Sequence, residues 1–484
     1  MTPKRLLPTA DSRDLPTGKD DWLGIPNLQN HLVLLKAFHK TLLSVDGSID
    51  YAHPIAQGDI ASPHTYAFLA KATYRFDTWI RTSLRSRTSN APLNDAELPP
   101  PDVLMMFHGF MLSPWLYAED TELRFPELRN IGPFPLREVV NHIDATGEYK
   151  PTPEQITSWE RQTGQPFDIS GMKEAEVVCP ACHTTLVTHW IVPEDGTGYG
   201  EPGFALDCKC GIRITHDVLC VNKLIRDLLE YRASERMVMR GTLFGGNVGT
   251  EQPSIARMTT KEVLRVLGDP SELGHQVSWS MSNLTKRLEN SPNTHLVKAL
   301  VPNLLRPYSQ PSTFSVDLHF KVLRQGHFAN AWVGSGFEAT PTRTLEDSIS
   351  RYRVFLRTEA PVLIVDQQLD LVWHTHQLLG DTYRKQSLAY AGRFLDHLAM
   401  DEFEPTADVL AKAVRDLEDS MIAEGVVPPP EPCKCCNNRF CHGCEGQTYG
   451  DGHPCKPCET CCSGVKPPHV YVDVSSDNIS DPAT

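Results

Sequence analysis

Apolar residues recur every three or four positions along most of the chain, which is the spacing of one buried helix face. In the segment 62–84, Ser62 and Pro63 suit a helix start, and the apolar positions that follow are Tyr66, Leu69, Thr73, Phe76 and Ile80. The same spacing predicts helices at about 31–43, 102–119, 134–145, 153–163, 217–232, 260–267, 315–331, 344–358, 366–389 and 406–420. The pattern therefore predicts a mainly α fold.

Two segments interrupt the helical pattern, and both contain cysteines. Residues 177–215 show the alternation of short strands and predict a small β insertion. From residue 426 the chain has too few large apolar residues to form a core of its own. We therefore predict a disordered N-terminus (1–20), a first helical half (21–176), a zinc-ribbon-like insertion (177–215), a second helical half (216–425) and an irregular Cys-rich tail (426–484).

Length, composition and charge narrow the class of protein. The 484 residues are 40% hydrophobic, which suits two or more folded domains. No apolar run approaches the roughly 20 residues of a membrane span, and no apolar stretch suits a secretory signal, so we expect no membrane association and a cytoplasmic location, with the nucleus as the alternative. With 46 Lys and Arg against 60 Asp and Glu, the net charge of −14 disfavours nucleic acid as a partner.

The 14 cysteines are clustered, which favours metal ligation. In a reducing compartment disulfides do not persist, so densely spaced cysteines are typical of metal sites. Four thiolates on two tight turns predict a closed structural zinc site formed by Cys179, Cys182, Cys208 and Cys210. Buried thiols without a metal are the alternative, and Cys220 fits the apolar face of a helix.

The second cluster lies in the tail and exceeds the needs of one zinc ion. Two zinc ions, or a metal–thiolate cluster that includes His442 or His453, are both chemically reasonable. A flexible tail that binds metal only incidentally is the alternative. The pairing of the thiols is open among Cys433, Cys435, Cys436, Cys441, Cys444, Cys455, Cys458, Cys461 and Cys462.

Two histidine-containing segments resemble each other. Residues 107–117 and 373–383 align without a gap on an aromatic residue, a histidine, a leucine and a tyrosine, and an aspartate precedes each segment (Asp102 and Asp370). The match predicts two helical halves that arose by duplication, one on each side of the β insertion.

The chemistry of these histidines has two interpretations. His374 and His376 point about 200° apart on a helix, so they cannot chelate one ion together. Either His108 and His374 are buried imidazoles bonded to an aspartate or a backbone carbonyl, or the two meet in an open metal or acid–base site. The further candidates for such a site are Asp370, His376, Tyr117 and Tyr383.

Three segments resemble the fungal branch of the glycine-rich domain protein-like family: PPPDVLMMFHGFMLSPWLYAED (99–120), VDLHFKVLRQGHFANAWV (316–333) and DQQLDLVWHTHQLLGDTYRKQ (366–386). The stretch Arg240-Gly241-Thr242-Leu243 and the paired-cysteine insertion at 179–210 are also similar to that family. The resemblance covers roughly residues 22–400 and implies a protein of largely unassigned molecular function. In contrast to the family name, the tail here is rich in cysteine rather than glycine.

Common enzyme motifs are absent from the sequence. Gly334-Ser335-Gly336 lacks the spacing of a nucleophile elbow, and residues 241–247 lack the Lys-Ser/Thr of a phosphate loop. His142 and Asp144 have the spacing of an iron and 2-oxoglutarate site, but they fall within a helical pattern that would separate the two side chains.

These observations together favour an intracellular zinc-binding interaction or scaffold protein with a protein partner. One alternative is a metal-dependent enzyme, such as an oxidoreductase of a fungal metabolic pathway, that uses His108, His374 and His376. The other alternative is metal buffering by the tail. The absence of an assembled catalytic motif favours the non-enzymatic interpretation.

Overall fold

The structure is a computed structural model of the chain. It describes residues 23–47, 49, 62–87, 91–245, 249–290, 301–334, 340–358, 362–364, 366–399, 407–428 and 471–474. Helices account for 61% of the structure, against roughly one third in an average globular protein. The predicted mainly α fold is confirmed.

The helices are α1 (Ile25–Val45), α2 (Pro63–Trp79), α3 (Pro101–Met111), α4 (Pro114–Leu123), α5 (Leu136–Val140), α6 (Pro153–Thr163), α7 (His216–Ala233), α8 (Pro253–Leu267), α9 (Pro270–Gln276), α10 (Met281–Glu289), α11 (Leu318–Gly334), α12 (Thr342–Arg357), α13 (Gln367–Gln377), α14 (Asp381–Ala391) and α15 (Ala407–Ala423). Helix α2 continues into a π-helical turn, Ile80–Leu84. Several helices begin at local signals. Ser62 accepts a hydrogen bond from the Thr65 N–H at the start of α2, and Thr152 and Gln155 form a capping box at α6.

The strands form small antiparallel sheets. They are β1 (Glu174–Val178), β2 (Thr185–His189), β3 (Leu206–Asp207), β4 (Arg213–Ile214), β5 (Phe244–Gly245), β6 (Thr250–Glu251), β7 (Val362–Ile364), β8 (Leu398–Ala399) and β9 (Tyr471–Val474). The pairs β1–β2, β3–β4 and β5–β6 are hairpins, and β9 lies between β7 and β8. The first two hairpins fall within the predicted β insertion.

Two helices predicted from the pattern are divided in the structure. The segment 102–119 forms α3 and α4, because Pro114 has no N–H to donate and its ring disfavours a helical Ser113. The segment 366–389 forms α13 and α14, and Gly380 between them has a left-handed φ of 57°. Helix α5 ends at Val140, short of the predicted residue 145, and α9 and α10 are not predicted by the pattern.

Helix α1 packs between two hydrophobic cores. Leu28 and Leu32 face the core that contains Trp373, whereas Leu34 and Phe38 face the core of α2 and α3. The second core also includes residues from the later part of the chain, among them Phe314, Val322 and Leu378. A third core joins α7 to α10. The two predicted halves therefore share core contacts, and their bounds stay a prediction.

Among the residues that the structure describes, no helix combines the length and the apolar character that a membrane span requires.

Candidate metal centres

The four cysteines of the insertion lie on two turns that face each other. Cys179 and Cys182 occupy the turn between β1 and β2, where the Cys179 N–H donates to the Thr184 carbonyl and the His183 N–H donates back to the Cys179 carbonyl. Cys208 and Cys210 occupy the turn between β3 and β4, where Gly211 has a φ of 93°. A glycine adopts this backbone conformation without strain, which closes the second turn.

The four sulfur atoms converge on one point. Sγ of Cys179 lies 3.6 Å from Sγ of Cys210, and Sγ of Cys182 lies 3.5 Å from Sγ of Cys208. All four lie within 4.8 Å of one another. Tetrahedral ligands at a Zn–S distance of about 2.3 Å are separated by about 3.8 Å, whereas a disulfide requires about 2.05 Å. The cluster could hold a metal ion, as the sequence predicts.

The environments of the paired thiols differ. Burial raises the pKa of the Cys179 thiol to about 12. Hydrogen bonds from Thr184 lower the pKa of the exposed Cys182 thiol to about 6. Metal binding requires the thiolate form of every ligand. Cys220 lies apart from this cluster, buried in α7.

The cysteine hairpins are joined to the helical body by a tight loop. Glu201 accepts hydrogen bonds from the Val192 and Gly198 N–H groups, both at 2.8 Å, and Trp190 is buried against α2. A Cβ on Gly200 would lie 2.8 Å from the Cα of Ala67 in α2. The close backbone approach fixes the hairpins relative to α2.

His108 belongs to a chain of buried hydrogen bonds. The Thr375 hydroxyl donates to the Leu371 carbonyl, so the Nδ1–H of His31 donates to Thr375 Oγ1 at 2.8 Å. Nε2 of His31 then accepts from His108 Nε2 at 2.9 Å. The sequence interpretation assigns an aspartate or a backbone carbonyl to His108, but the structure pairs it with another histidine. Burial lowers the pKa of His108 to about 3, which keeps the ring neutral.

His376 is also held by two hydrogen bonds. Its Nδ1 accepts from the Tyr352 hydroxyl at 2.8 Å, and its Nε2 donates to Gln386 Oε1 at 2.7 Å. Burial lowers the pKa of this imidazole to about 4. Neither nitrogen of the neutral ring is available to a metal ion, and His374 faces a different direction.

His374 meets two other metal-ligand side chains. Its Nε2 lies 3.1 Å from Nε2 of His397 and 3.4 Å from Oδ1 of Asp370, and the same Oδ1 lies 2.9 Å from His397 Nε2. The three residues are at most 3% exposed. Burial raises the pKa of Asp370 above its usual value and lowers the pKa of both imidazoles. The group has the composition of a two-histidine, one-carboxylate metal site.

Tyr117 and Tyr383 lie on the wall of one cleft, together with Gln377, Arg384 and Phe394. The wall does not include Asp370, His374 or His397. Tyr383 reaches inwards, because its hydroxyl accepts from Trp373 Nε1 and donates to the Leu395 carbonyl. The structure therefore places the two candidate tyrosines together, and the Tyr383 ring lies 4.8 Å from the His376 ring. His108 and His374 do not line this cleft.

His142 and Asp144, which have the spacing of an iron site, do not form one in the structure. His142 and Asp144 lie in a turn after α5 rather than in a helix, and Asp144 Oδ1 accepts from the N–H groups of Thr146 and Glu148. His142 faces Asp95 instead. The predicted tail ligands, from Cys433 to Cys462, lie outside the described residues.

Sequence reasoning missed His397 and His31. Asp370 and His374 are one helical turn apart, so their side chains share a face of α13, and this spacing was the available signal for a metal site. The alignment of the two segments does not reveal this spacing. In the first segment Asp102 lies six positions before His108, whereas Asp370 lies four positions before His374. His31 and His397 reach their partners only through packing.

None of the protein-family models matches this chain, and no curated protein or solved structure matches it. The fold and the cysteine cluster define a mainly α protein with a group of thiols that could hold a metal ion. Membership of the glycine-rich domain protein-like family stays a prediction from the motif segments.

Proposed function

We propose that this protein binds zinc through Cys179, Cys182, Cys208 and Cys210 and presents the resulting zinc-ribbon-like module to a protein partner. The convergence of the four sulfur atoms carries the proposal. Four thiolates suit zinc and fill its tetrahedral shell, which leaves no position for a substrate. The zinc ion is therefore structural, and the function is interaction or scaffolding rather than catalysis at this centre.

The small core of the module supports a structural role for zinc. The core cluster that contains its ligand cysteines consists of Val177, Cys179, Phe204, Cys208, Ile214 and, from α7, Val218. Two of these six are ligands, so few apolar side chains remain to stabilise the two hairpins. Metal binding supplies folding free energy to modules of this kind.

The outer face of the first hairpin suits a protein partner. Val178 is 50% exposed and Val187 is 56% exposed. Both belong to the solvent-facing side of β1 and β2, where Val187 pairs with Glu176 and Val178 pairs with Thr185. Exposed apolar residues on a fixed hairpin offer area for association.

We also propose that the two helical halves arose by duplication and that the chain belongs to the glycine-rich domain protein-like family. The two related segments each form a helix, a short break and a second helix, α3–α4 and α13–α14. This local similarity supports an origin by duplication. The intracellular location is consistent with free thiols, because zinc–thiolate sites replace disulfides in reducing compartments.

Zinc analysis of full-length variants tests the first part of the proposal. We expect Cys182→Ser and Cys210→Ser each to contain about one zinc ion fewer per chain than the wild type, because three thiolates do not close the site. Cys220→Ala is the matched control, since this thiol lies in α7, and its zinc content should equal that of the wild type. The tail is the same in every variant, so zinc bound by the tail does not change the difference in zinc content between variants. Unchanged zinc in both ligand variants would contradict the proposal.

Cross-linking of the full chain in cells tests the second part. Val187→Lys should abolish the cross-links that the wild type forms with its partner, because a charge would have to be buried at the interface. Ile255→Lys is the control, since Ile255 in α8 is 51% exposed and lies outside the module. Cross-links that persist in Val187→Lys would reject this face as the interaction surface.

A further inference from the structure

The buried group of Asp370, His374 and His397 differs from the other histidine pairs of this protein. Asp370 and His374 are one turn apart on α13, and His397 approaches them from the segment between α14 and β8. The three pairwise distances between His374 Nε2, His397 Nε2 and Asp370 Oδ1 are 3.1, 2.9 and 3.4 Å. Ligand atoms about 2.1 Å from one ion lie about 3.0 to 3.4 Å apart in octahedral to tetrahedral geometry. Two of the observed separations lie within that range, and the third, at 2.9 Å, is about 0.1 Å below it.

Hydrogen bonding alone leaves the Asp370 carboxylate incompletely satisfied. If both Nε2 atoms carried a proton, two N–H groups would face each other at 3.1 Å. One proton shared by His397 and Asp370 accounts for the shortest contact only. Asp370 Oδ2 is buried and has no hydrogen-bond partner among the described residues, and such an atom destabilises the fold unless an ion or a water molecule compensates it.

The His31–His108 pair and His376 show the contrast. Each has a single arrangement of protons that satisfies its hydrogen bonds, with Thr375 for the former and Tyr352 and Gln386 for the latter. Among the residues that the structure describes, only at Asp370, His374 and His397 do two imidazole nitrogens and a carboxylate oxygen point at one position.

We propose that Asp370, His374 and His397 bind a divalent first-row transition-metal ion, zinc or iron(II), independently of the four-cysteine centre. The ion would accept one lone pair from each ligand. It would take the place of the proton that His397 and Asp370 share without metal. Lys321 and Arg324 of α11 act electrostatically on the two imidazoles, so the negative charge of Asp370 is needed to hold a cation there. Three protein ligands do not complete the shell of either ion, which leaves positions for water or another small ligand.

The surroundings make this a secluded centre. The Phe328 ring lies 4.8 Å from the His374 ring, and the Trp373 ring lies 4.5 Å from the His397 ring. These aromatic side chains cover the ligands, so the ion should exchange slowly with the solvent. A metal bound during folding should therefore remain with the purified chain.

Metal analysis of the full chain tests the inference. Asp370→Asn and His397→Gln keep the size of each side chain close to the original, and each should lose about one equivalent of zinc or iron per chain. His376→Gln is the matched control, because His376 lies on the same helix but binds Tyr352 and Gln386. Its metal content should equal that of the wild type. Equal metal content in all four proteins would overturn the inference.

Crystals of the wild type provide a measurement that does not depend on the folding of a variant. With zinc or iron(II) supplied during crystallisation, an anomalous-difference peak should lie about 2.1 Å from the three ligand atoms. The four-cysteine cluster is the internal reference. A peak at the cysteines without one at Asp370 overturns this inference and leaves the proposed function intact. A peak at Asp370 without one at the cysteines supports this inference and contradicts the proposed function.

Discussion

Arg240 connects distant parts of the chain through one buried guanidinium. Its Nε lies 2.9 Å from Asp227 Oδ2, and its Nη1 donates to the Thr313 carbonyl at 2.7 Å. Asp227 also accepts from Arg124 and from the Tyr308 hydroxyl. The sequence placed Arg240 in a stretch similar to a known family but assigned it no role, because these residues come from three parts of the chain that are far from one another in sequence.

Removal of Arg240 should therefore destabilise the fold. Arg240→Ala leaves Asp227 buried with fewer cations, and we expect the free energy of unfolding to fall by about 3 to 5 kcal/mol. Denaturant unfolding followed by tryptophan fluorescence measures the change. Arg232→Ala is the control, because the Arg232–Asp269 pair is half exposed, and it should cost no more than about 1 kcal/mol. Similar losses in both variants would contradict the structural role of the buried pair.

At the scale of elements, the contact between the cysteine hairpins and α2 depends on Gly200. A Cβ there would meet the backbone of Ala67 at 2.8 Å and the Trp190 carbonyl at 3.0 Å. Neither neighbour is the end of a flexible side chain, so the loop or the helix must move. The pattern of the sequence predicted the β insertion, but nothing in that pattern indicated which helix it contacts.

Gly200→Ala should loosen this contact without removing the zinc ligands. We expect a lower thermal unfolding midpoint, because the added Cβ would clash with Ala67 and with the Trp190 carbonyl. We expect unchanged zinc content, because neither cysteine turn contains these atoms. Gly245→Ala is the matched control, since its nearest contacts are atoms of the Gln252 side chain at 3.8 Å or more. If Gly200→Ala unfolds at the wild-type midpoint, the hairpins do not pack against α2 as described.

The helix pattern was informative where the signals are local. The predicted bounds of 153–163 match α6, where Thr152, Pro153 and Gln155 specify the start. The predicted helix at 366–389 is interrupted because Gly380 adopts a left-handed conformation. Periodicity alone does not reveal such a break, since the apolar spacing continues on both sides.

At the scale of the whole molecule, burial of neutral histidines makes stability depend on pH. Burial lowers the pKa of His108 to about 3 and that of His216 to about 4, whereas the unfolded chain has a histidine pKa of about 6.5. Below pH 6.5 the unfolded state therefore binds protons that the folded state does not. Stability is lost as the pH falls from 6.5 towards the folded pKa values.

When the pH falls from 7 to 5, each of these two histidines should lower the free energy of unfolding by about 2 kcal/mol. His108→Gln should reduce the pH-dependent loss of unfolding free energy by about that amount, as measured by denaturant unfolding at both pH values. His64→Gln, at an exposed position in α2, should lose as much as the wild type. Metal release at low pH affects all three proteins alike. If His108→Gln lost as much unfolding free energy as the wild type, the His108 ring would bind a proton in the folded protein.

The sequence by itself determined the helical class and the cysteine turns. Helix periodicity, proline and N-cap residues act within a few positions, and Cys179–Cys182 and Cys208–Cys210 are each close along the chain. Tertiary structure decided which histidines meet. His397 joins Asp370 and His374 from beyond α14, and His31 reaches Thr375 across most of the chain, because side chains far apart in sequence become neighbours only when the helices pack.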